Sequence, residues 1–231
     1  MIFIKKFLQW TKKFRKTSIL TTTTDGLYFI HKDYSAHLCS NLDELRDLGT
    51  VDASEHGNSS VDWHLWRKWW GRFPYGLYII KKGQEIIGGC GIWPVSERSY
   101  HLLRKGTITE KSIHVLKMHN HDTSDYWYFS GIVIQPAYRR HRDVWKLIKD
   151  VMQYEHNKKA RPHYVVTVGA VPMSTKGRNM ASRFLLHPVV PAEKRKEPYP
   201  FYERKLMFEG KYFTEESRIF PQKLLQNHIL T

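Results

Sequence analysis

The chain has 231 residues, with 37 Lys and Arg against 22 Asp and Glu, a formal net charge of +15. That length predicts one large domain with short appendages, and 14% aromatic residues argue against global disorder. No apolar run is long enough to cross a membrane, and the two cysteines, Cys39 and Cys90, neither staple a chain of this size nor form a CxxC zinc pattern.

A reduced, cytoplasmic setting is the simplest reading of so few cysteines. The charge is local: residues 1–20 carry +6, residues 136–163 carry +5 and residues 176–205 another +5, while the remainder sums to −1. Separate basic segments fit a small anionic ligand, an acidic partner or an anionic surface. They point away from a broad nucleic-acid face, which shows a basic stripe with aromatic interleaving.

In Met1–Leu20, Phe3, Phe7, Trp10 and Phe14 recur at helical spacing with lysines between them. This predicts a basic amphipathic helix, docked either on the body or a second copy, or lying as a peripheral contact on an anionic membrane. Thr21–Asp25 reads as a polar break. The chain therefore divides into a basic N-terminal segment 1–22, a domain 23–210 with an insertion 94–125, and a C-terminal tail 211–231.

Tyr28–Cys39 is apolar enough for one or two strands. Leu42, Leu45 and Leu48 share a helix face, with Ser40 or Asn41 as cap. Trp63, Trp66, Trp69 and Trp70 lie mostly on one side of a second helix and read as core rather than as a base-stacking platform. Gly76–Lys81 and Glu85–Trp93 form a hairpin about Lys82-Gly83-Gln84. Gly88, Gly89 and Gly91 in its second strand suggest a bulge or a close backbone approach.

Pro94–Asp125 is polar and irregular, with a short helix near Tyr100–Arg104. Tyr126–Ile134 is an aromatic, β-branched strand that Pro136 stops. Val144, Leu147, Ile148, Val151 and Met152 give a helix stripe to about Asn157. Tyr164–Val168 reads as a buried strand, Ser174–Leu186 as a helix, Pro188–Pro200 as a loop and Phe201–Phe208 as a last strand.

The most informative stretch runs from Ile132 to Val144: a strand, a proline, a short basic loop with Arg139, Arg140 and Arg142, then a helix. Free amides and the positive dipole end at a helix N-terminus make an anion site, and arginines beside it add charge-assisted contacts to phosphate. The same residues also suit a merely solvated basic loop.

This stretch resembles the signature of the GCN5-related N-acetyltransferase (GNAT) superfamily, a strand running into V-x-P and then Q/R-x-x-G-x-G/A. Ile134-Gln135-Pro136 matches the first part and Arg139 the Q/R. The Gly76–Trp93 hairpin looks like the family's second and third strands, and Asn179-Met180-Ala181 resembles the N-x-x-A start of its fourth helix. The resemblance covers roughly residues 25–208. It implies an α/β fold with a mixed, mostly antiparallel central sheet flanked by helices. The two glycine positions carry Arg142 and Val144, and Val144 is expected to crowd a cofactor. The place of the family's general-acid tyrosine falls near Phe184-Leu185.

The resemblance implies an N-acetyltransferase in which a primary amine attacks acetyl-CoA directly, with no metal. The implied cofactor-binding residues are Ile132, Val133 and Ile134 along the strand, Arg139, Arg140, His141, Arg142, Asp143 and Val144 in the loop, and Asn179. An amide after Ile132 or Val133 would polarise the thioester, while Ile132 and Ile134 would bond the pantetheine arm. A general base is also needed. The candidates are Asp125 and Glu110, with His121 and Asp122 beside them. Tyr126 or Tyr128 would return a proton to sulfur.

His119-x-His121-Asp122 lacks the second cluster a metal site requires. Ser130 has no nucleophile elbow around it, and Cys90 reads as a buried small residue. The acceptor is a small-molecule or peptide amine. Basic segments facing the site would favour neutral or acidic amines over polybasic peptides. Two further readings stand beside this one. The first is an acyltransferase drawing a larger acyl group from an acidic acyl carrier protein. The second is a non-catalytic binding protein on the same fold.

Overall fold

The computed structural model describes residues 19–23, 26–57, 62–119, 124–159 and 165–207. The expected amphipathic helix, His121, Asp122 and the tail 211–231 lie outside these residues, apart from Ile19 and Leu20.

Among the described residues, nine strands form one sheet: β1 (Ile19–Thr23), β2 (Gly26–His31), β3 (Tyr34–Leu38), β4 (Leu77–Lys82), β5 (Glu85–Pro94), β6 (Tyr126–Ile134), β7 (Val165–Ala170), β8 (His187–Val190) and β9 (Phe201–Met207). Their spatial order is β1-β2-β3-β4-β5-β6-β7-β9-β8. Every neighbouring pair is antiparallel except β6 and β7. The sheet is thus mixed and mostly antiparallel, as the sequence leads one to expect. Helices α1 (Leu42–His56), α2 (Trp63–Arg72), α3 (Glu97–Arg104), α4 (Arg142–Lys159) and α5 (Thr175–Arg183) accompany it. A parallel pair needs a crossover, and α4 supplies it between β6 and β7.

Local chemistry sets the helix starts. The Asn41 side chain accepts the Glu44 amide at 2.9 Å and opens α1. Asp62, Ser96 and Ser174 cap α2, α3 and α5 in the same way, each satisfying an amide that the first turn leaves without a partner. Leu45, Leu48, Trp66 and Trp69 are buried, so the tryptophan helix is core.

The sheet faces follow from strand alternation. A Cβ on Gly89 would stand 2.7 Å from Leu48 Cδ2 of α1. The next residue, Cys90, points the other way, beside Glu155 of α4. Its cross-strand partner Tyr78 donates its phenolic hydrogen to Glu155 at 2.5 Å. Helices α1 and α4 therefore cover opposite faces.

Two segments correct the sequence reading. The supposed polar break at Thr21–Asp25 overlaps β1, which pairs with β2 from Ile19↔Ile30 to Thr23↔Gly26. Threonine is β-branched as well as polar, and that favours a strand. The supposed loop Pro188–Pro200 overlaps β8, which pairs with β9 at the sheet's outer edge. Pro188 is tolerated there because an edge strand has one side without a ladder.

The insertion is less irregular than its composition implies. It buries Tyr100, Leu103, Ile113 and Val115, and Val115 bridges to Val95. The basic segment 176–205 is not all surface either: the Arg195 side chain is wholly buried, with Nη2 2.8 Å from the Leu103 carbonyl and 3.0 Å from Glu197.

Candidate active site

Strands β6 and β7 pair over only three positions, ending at Tyr128↔Gly169. Beyond Tyr128, the edge of β6 from Phe129 to Ile134 has no partner strand on that side among the described residues. Its other edge runs beside β5, where Gly91 faces Gly131 and Ile92 faces Phe129. Ser130 is therefore an extra residue, and Gly131 takes φ +122°, a conformation glycine adopts without steric cost. The sheet opens just past a bulge.

The open edge leads into the basic loop. A 3-10 turn at Pro136–Tyr138 follows β6, and α4 begins at Arg142. The first-turn amides of Arg142, Asp143 and Val144 have no carbonyl one turn earlier within the helix. The Val144 side chain is wholly buried. It packs into the core. Neither Arg142 nor Val144 has a positive φ, so the loop keeps its course without the conformational freedom of glycine.

The other loop residues are placed by partners distant in sequence. Arg139 Nε donates to the Ile134 carbonyl at 2.8 Å, and its guanidinium pairs with Glu55 of α1. The Trp145 indole donates to the Arg139 carbonyl at 2.6 Å. His141 Nδ1 lies 2.7 Å from the Tyr34 hydroxyl. Asp143 is gripped by Lys32 Nζ at 2.7 Å and His31 Nε2 at 2.8 Å, and the Lys32 ammonium chiefly holds its carboxyl below the usual range. Arg140 and Arg142 are exposed, Ile132 is half-buried, and Val133 and Ile134 are buried. Asn179 is exposed on α5.

Of Asp125, Glu110 and Tyr128, the structure brings Glu110 and Tyr128 near one another. Glu110, in a 3-10 turn of the insertion, lies within electrostatic reach of Tyr128. Its Oε1 is buried with no hydrogen-bond partner among the described residues. Burial first, and then the nearby Asp52 and Glu197, push the Glu110 carboxyl up to about 8 against the opposing effect of the Tyr128 hydroxyl. Burial and Glu110 push the Tyr128 phenol well up in turn. Asp125 stands exposed at the start of β6, where its carbonyl accepts the Thr167 amide at 2.7 Å. It takes no part in the pair.

Sequence reasoning missed His31, Lys32, Tyr34, Glu55, Asp52 and Glu197. The one local signal was His31-Lys32 in a short turn between strands. At the place of the family's tyrosine, Phe184 packs edge-on against Phe129. Ser130 Oγ accepts the Trp93 indole at 3.1 Å. Burial pushes the Cys90 thiol up to about 12. No group of three metal-ligating side chains occurs among the described residues, and no helix there is long and apolar enough to cross a membrane.

No protein-family model matches the sequence, and no curated protein is similar to it by sequence. Solved structures are similar in fold. The loading GNATL domain of CurA from Lyngbya majuscula superposes with a TM-score of 0.53 at 16% identity, covering 75% of this chain and 98% of that one. The GphF GNAT-like decarboxylase in complex with isobutyryl-CoA gives 0.51 at 12%, covering 74% and 98%. Ard1 from Thermoplasma volcanium gives 0.50 at 7%, covering 76% and 99%. At such low identities the likeness speaks of architecture. The chain has the fold of the GCN5-related N-acetyltransferases.

Proposed function

We propose that the protein is an acyl-CoA-dependent acyltransferase that moves an acetyl group onto a primary amine. The observation that carries this is the parting of β6 from β7 after Tyr128↔Gly169, with the free edge of β6 leading directly to the N-terminus of α4. The residues present fit a coenzyme A donor. The backbone from Ile132 to Ile134 offers its open edge to a pantetheine arm. The first-turn amides of Arg142, Asp143 and Val144 suit a pyrophosphate. Val144 turns its side chain inward, and the exposed Arg140 and Arg142 add positive charge beside the amides. Arg139, held by Glu55 and the Ile134 carbonyl, shapes the loop. The donor supplies a thioester carbonyl to the amine and a sulfur leaving group. In this reading Asn179 and the loop residues His141 and Asp143 complete the donor surface.

A larger acyl group presented by an acidic carrier protein is the second reading. The exposed pair Arg140 and Arg142 favours it, as does the fold likeness to a GNATL loading domain.

The test is thermal unfolding and amide exchange with acetyl-CoA, followed by thiol release in the presence of amines. A raised melting temperature with protection of residues 139–144 is expected. No shift at millimolar acetyl-CoA would overturn the first reading. Stronger transfer from a carrier loaded with a longer acyl chain than from acetyl-CoA would favour the second.

A further inference from the structure

One end of the sheet gathers loops that are far apart in sequence. β6 points its C-terminal end there, so residues 135–141 and the first turn of α4 lie at this end. Strand pairing brings the β2–β3 turn, closed by His31↔Tyr34, and the β4–β5 turn, closed by Lys82↔Glu85, to the same end. β1 enters the sheet there too, since Ile19 pairs with Ile30, just before the first of these turns. Residues 1–18 therefore join the body beside His31 and Lys32.

Side chains fasten these loops into one surface. Lys32 reaches Asp143 at 2.7 Å, and the Tyr34 hydroxyl lies 2.7 Å from His141 Nδ1. The Tyr138 hydroxyl donates to Glu85 at 2.8 Å, and Lys82 Nζ stands 5.4 Å from the centre of the Tyr138 ring. Lys32, Lys82, Arg140 and Arg142 are exposed. The acids at this end are Asp33, Glu85 and Asp143; Tyr138 engages Glu85, and Lys32 with His31 engages Asp143. Ile30 is exposed beside the entry of β1, and Met173 is exposed past the end of β7, which runs parallel to β6.

The sequence of residues 1–18 adds six bases and no acid. Its Phe3, Phe7, Trp10 and Phe14 recur at the spacing of one helix face, and that spacing sets the bases on the other. Two of the three basic segments of the chain thus meet at one end of the sheet, which the sequence alone does not reveal.

We propose that this end of the sheet is a docking face for an anionic phospholipid bilayer. Residues 1–18 supply the apolar anchor, and the loop bases Lys32, Lys82 and Arg140 supply the headgroup contacts. Bases alone would suit any polyanion. A nucleic acid would draw them but leave the face of Phe3, Phe7, Trp10 and Phe14 without a partner, whereas a bilayer has an apolar layer beneath its charged surface. Binding of this kind grows with both the apolar area inserted and the attraction to anionic lipid. The inference stands apart from the acyltransferase reading.

Two measurements on the full chain decide it. In the first, the protein is sedimented with vesicles of phosphatidylcholine alone and with vesicles holding about one-third phosphatidylserine. Binding is expected to the anionic vesicles and to weaken about 30-fold in the double variant Lys82→Gln and Arg140→Gln. In the second, amide exchange of the wild-type chain is followed with and without the anionic vesicles, which keeps the idea testable if the variant folds poorly. Protection is expected at residues 31–34, 82–85 and 139–142. Wild-type vesicle binding by the double variant, or protection confined to residues 1–18, would leave the anchor acting alone and overturn the docking face. Equal binding to both kinds of vesicle, or none to either, would overturn it too. An RNA duplex that protects these loops where vesicles do not would make the partner a nucleic acid and refute the proposal.

Discussion

Lys32 Nζ lies 2.7 Å from Asp143 Oδ2, which ties the turn of the β2–β3 hairpin to the first turn of α4. His31 holds the other carboxylate oxygen at 2.8 Å. An acid there is favoured by the helix dipole, yet it occupies the end of the helix where an anionic ligand would be drawn. Lys32 offsets that charge. Lys32→Gln is therefore expected to weaken coenzyme A binding about two- to five-fold, the range of an exposed ion pair. Asp143→Asn in the same chain should restore the affinity. Titration calorimetry at two salt concentrations measures both, and the loss should shrink at high salt.

Putting the family's glycine back at position 144 is expected to harm the protein. Val144 is completely buried. Val144→Gly removes a core side chain and adds helix flexibility, together about 2–4 kcal/mol. Urea unfolding should show that loss, with the coenzyme A dissociation constant changed less than about two-fold. Tighter binding by the glycine variant would mean that Val144 obstructs the loop after all.

Glu44 governs acid stability. Burial raises its carboxyl, but Lys81, the Ser40 amide and His37 outweigh that and hold it at about 2. Its partners stand 2.7, 3.0 and 2.8 Å away. A depressed carboxyl stabilises the fold fully above its ordinary titration range and loses that contribution as pH falls through the native value. Between pH 4.5 and 2, the wild type should lose on the order of 3 kcal/mol from this group. Glu44→Gln should be less stable at pH 7 and show a flatter acid limb in stability measured from pH 7 to 2.

Gly89 sets the distance between α1 and the sheet. An added Cβ would stand 2.7 Å from Leu48 Cδ2 and 2.7 Å from the Tyr78 carbonyl oxygen. Gly89→Ala is expected to cost about 1–3 kcal/mol through overpacking. The double variant with Leu48→Ala should recover only part of this coupling, because the carbonyl cannot retreat with the side chain. A double-mutant cycle in urea separates the two contributions.

Much of the architecture was readable because it rests on local signals. Asn41 before Leu42-Asp43-Glu44, the alternation about Lys82-Gly83-Gln84, and Pro136 after Ile134 each act within a few residues. The failures came where one residue type carries two properties, or where a contact spans the fold. The threonines of β1 are polar and β-branched, and pairing with β2 decides between the two. Pro188 marks a loop or an edge strand, and only the position of β9 tells which. Arg139 reads as a loop arginine, and its pairing with Glu55, 84 residues away, is invisible to local sequence. Glu110 and Tyr128 were both legible as reactive types. Their proximity was not, since the path of the insertion creates it. The direction of Val144 was equally hidden, because the phase of α4 is set by the whole stripe that it buries.

Helix α3 gives the short seam between β6 and β7 a mechanical partner. Tyr100 packs against Tyr126 at 4.8 Å and Phe201 at 5.5 Å, and it donates to Glu203 at 2.9 Å. It thus braces the leaf of six strands ending at β6 against the smaller leaf of β7, β9 and β8. The insertion serves here as a strut. The spacing of the two leaves is held by a buried phenol as well as by the three-residue ladder, so under the acyltransferase reading proposed above the size of the acyl group becomes a property of Tyr100 as much as of the strands.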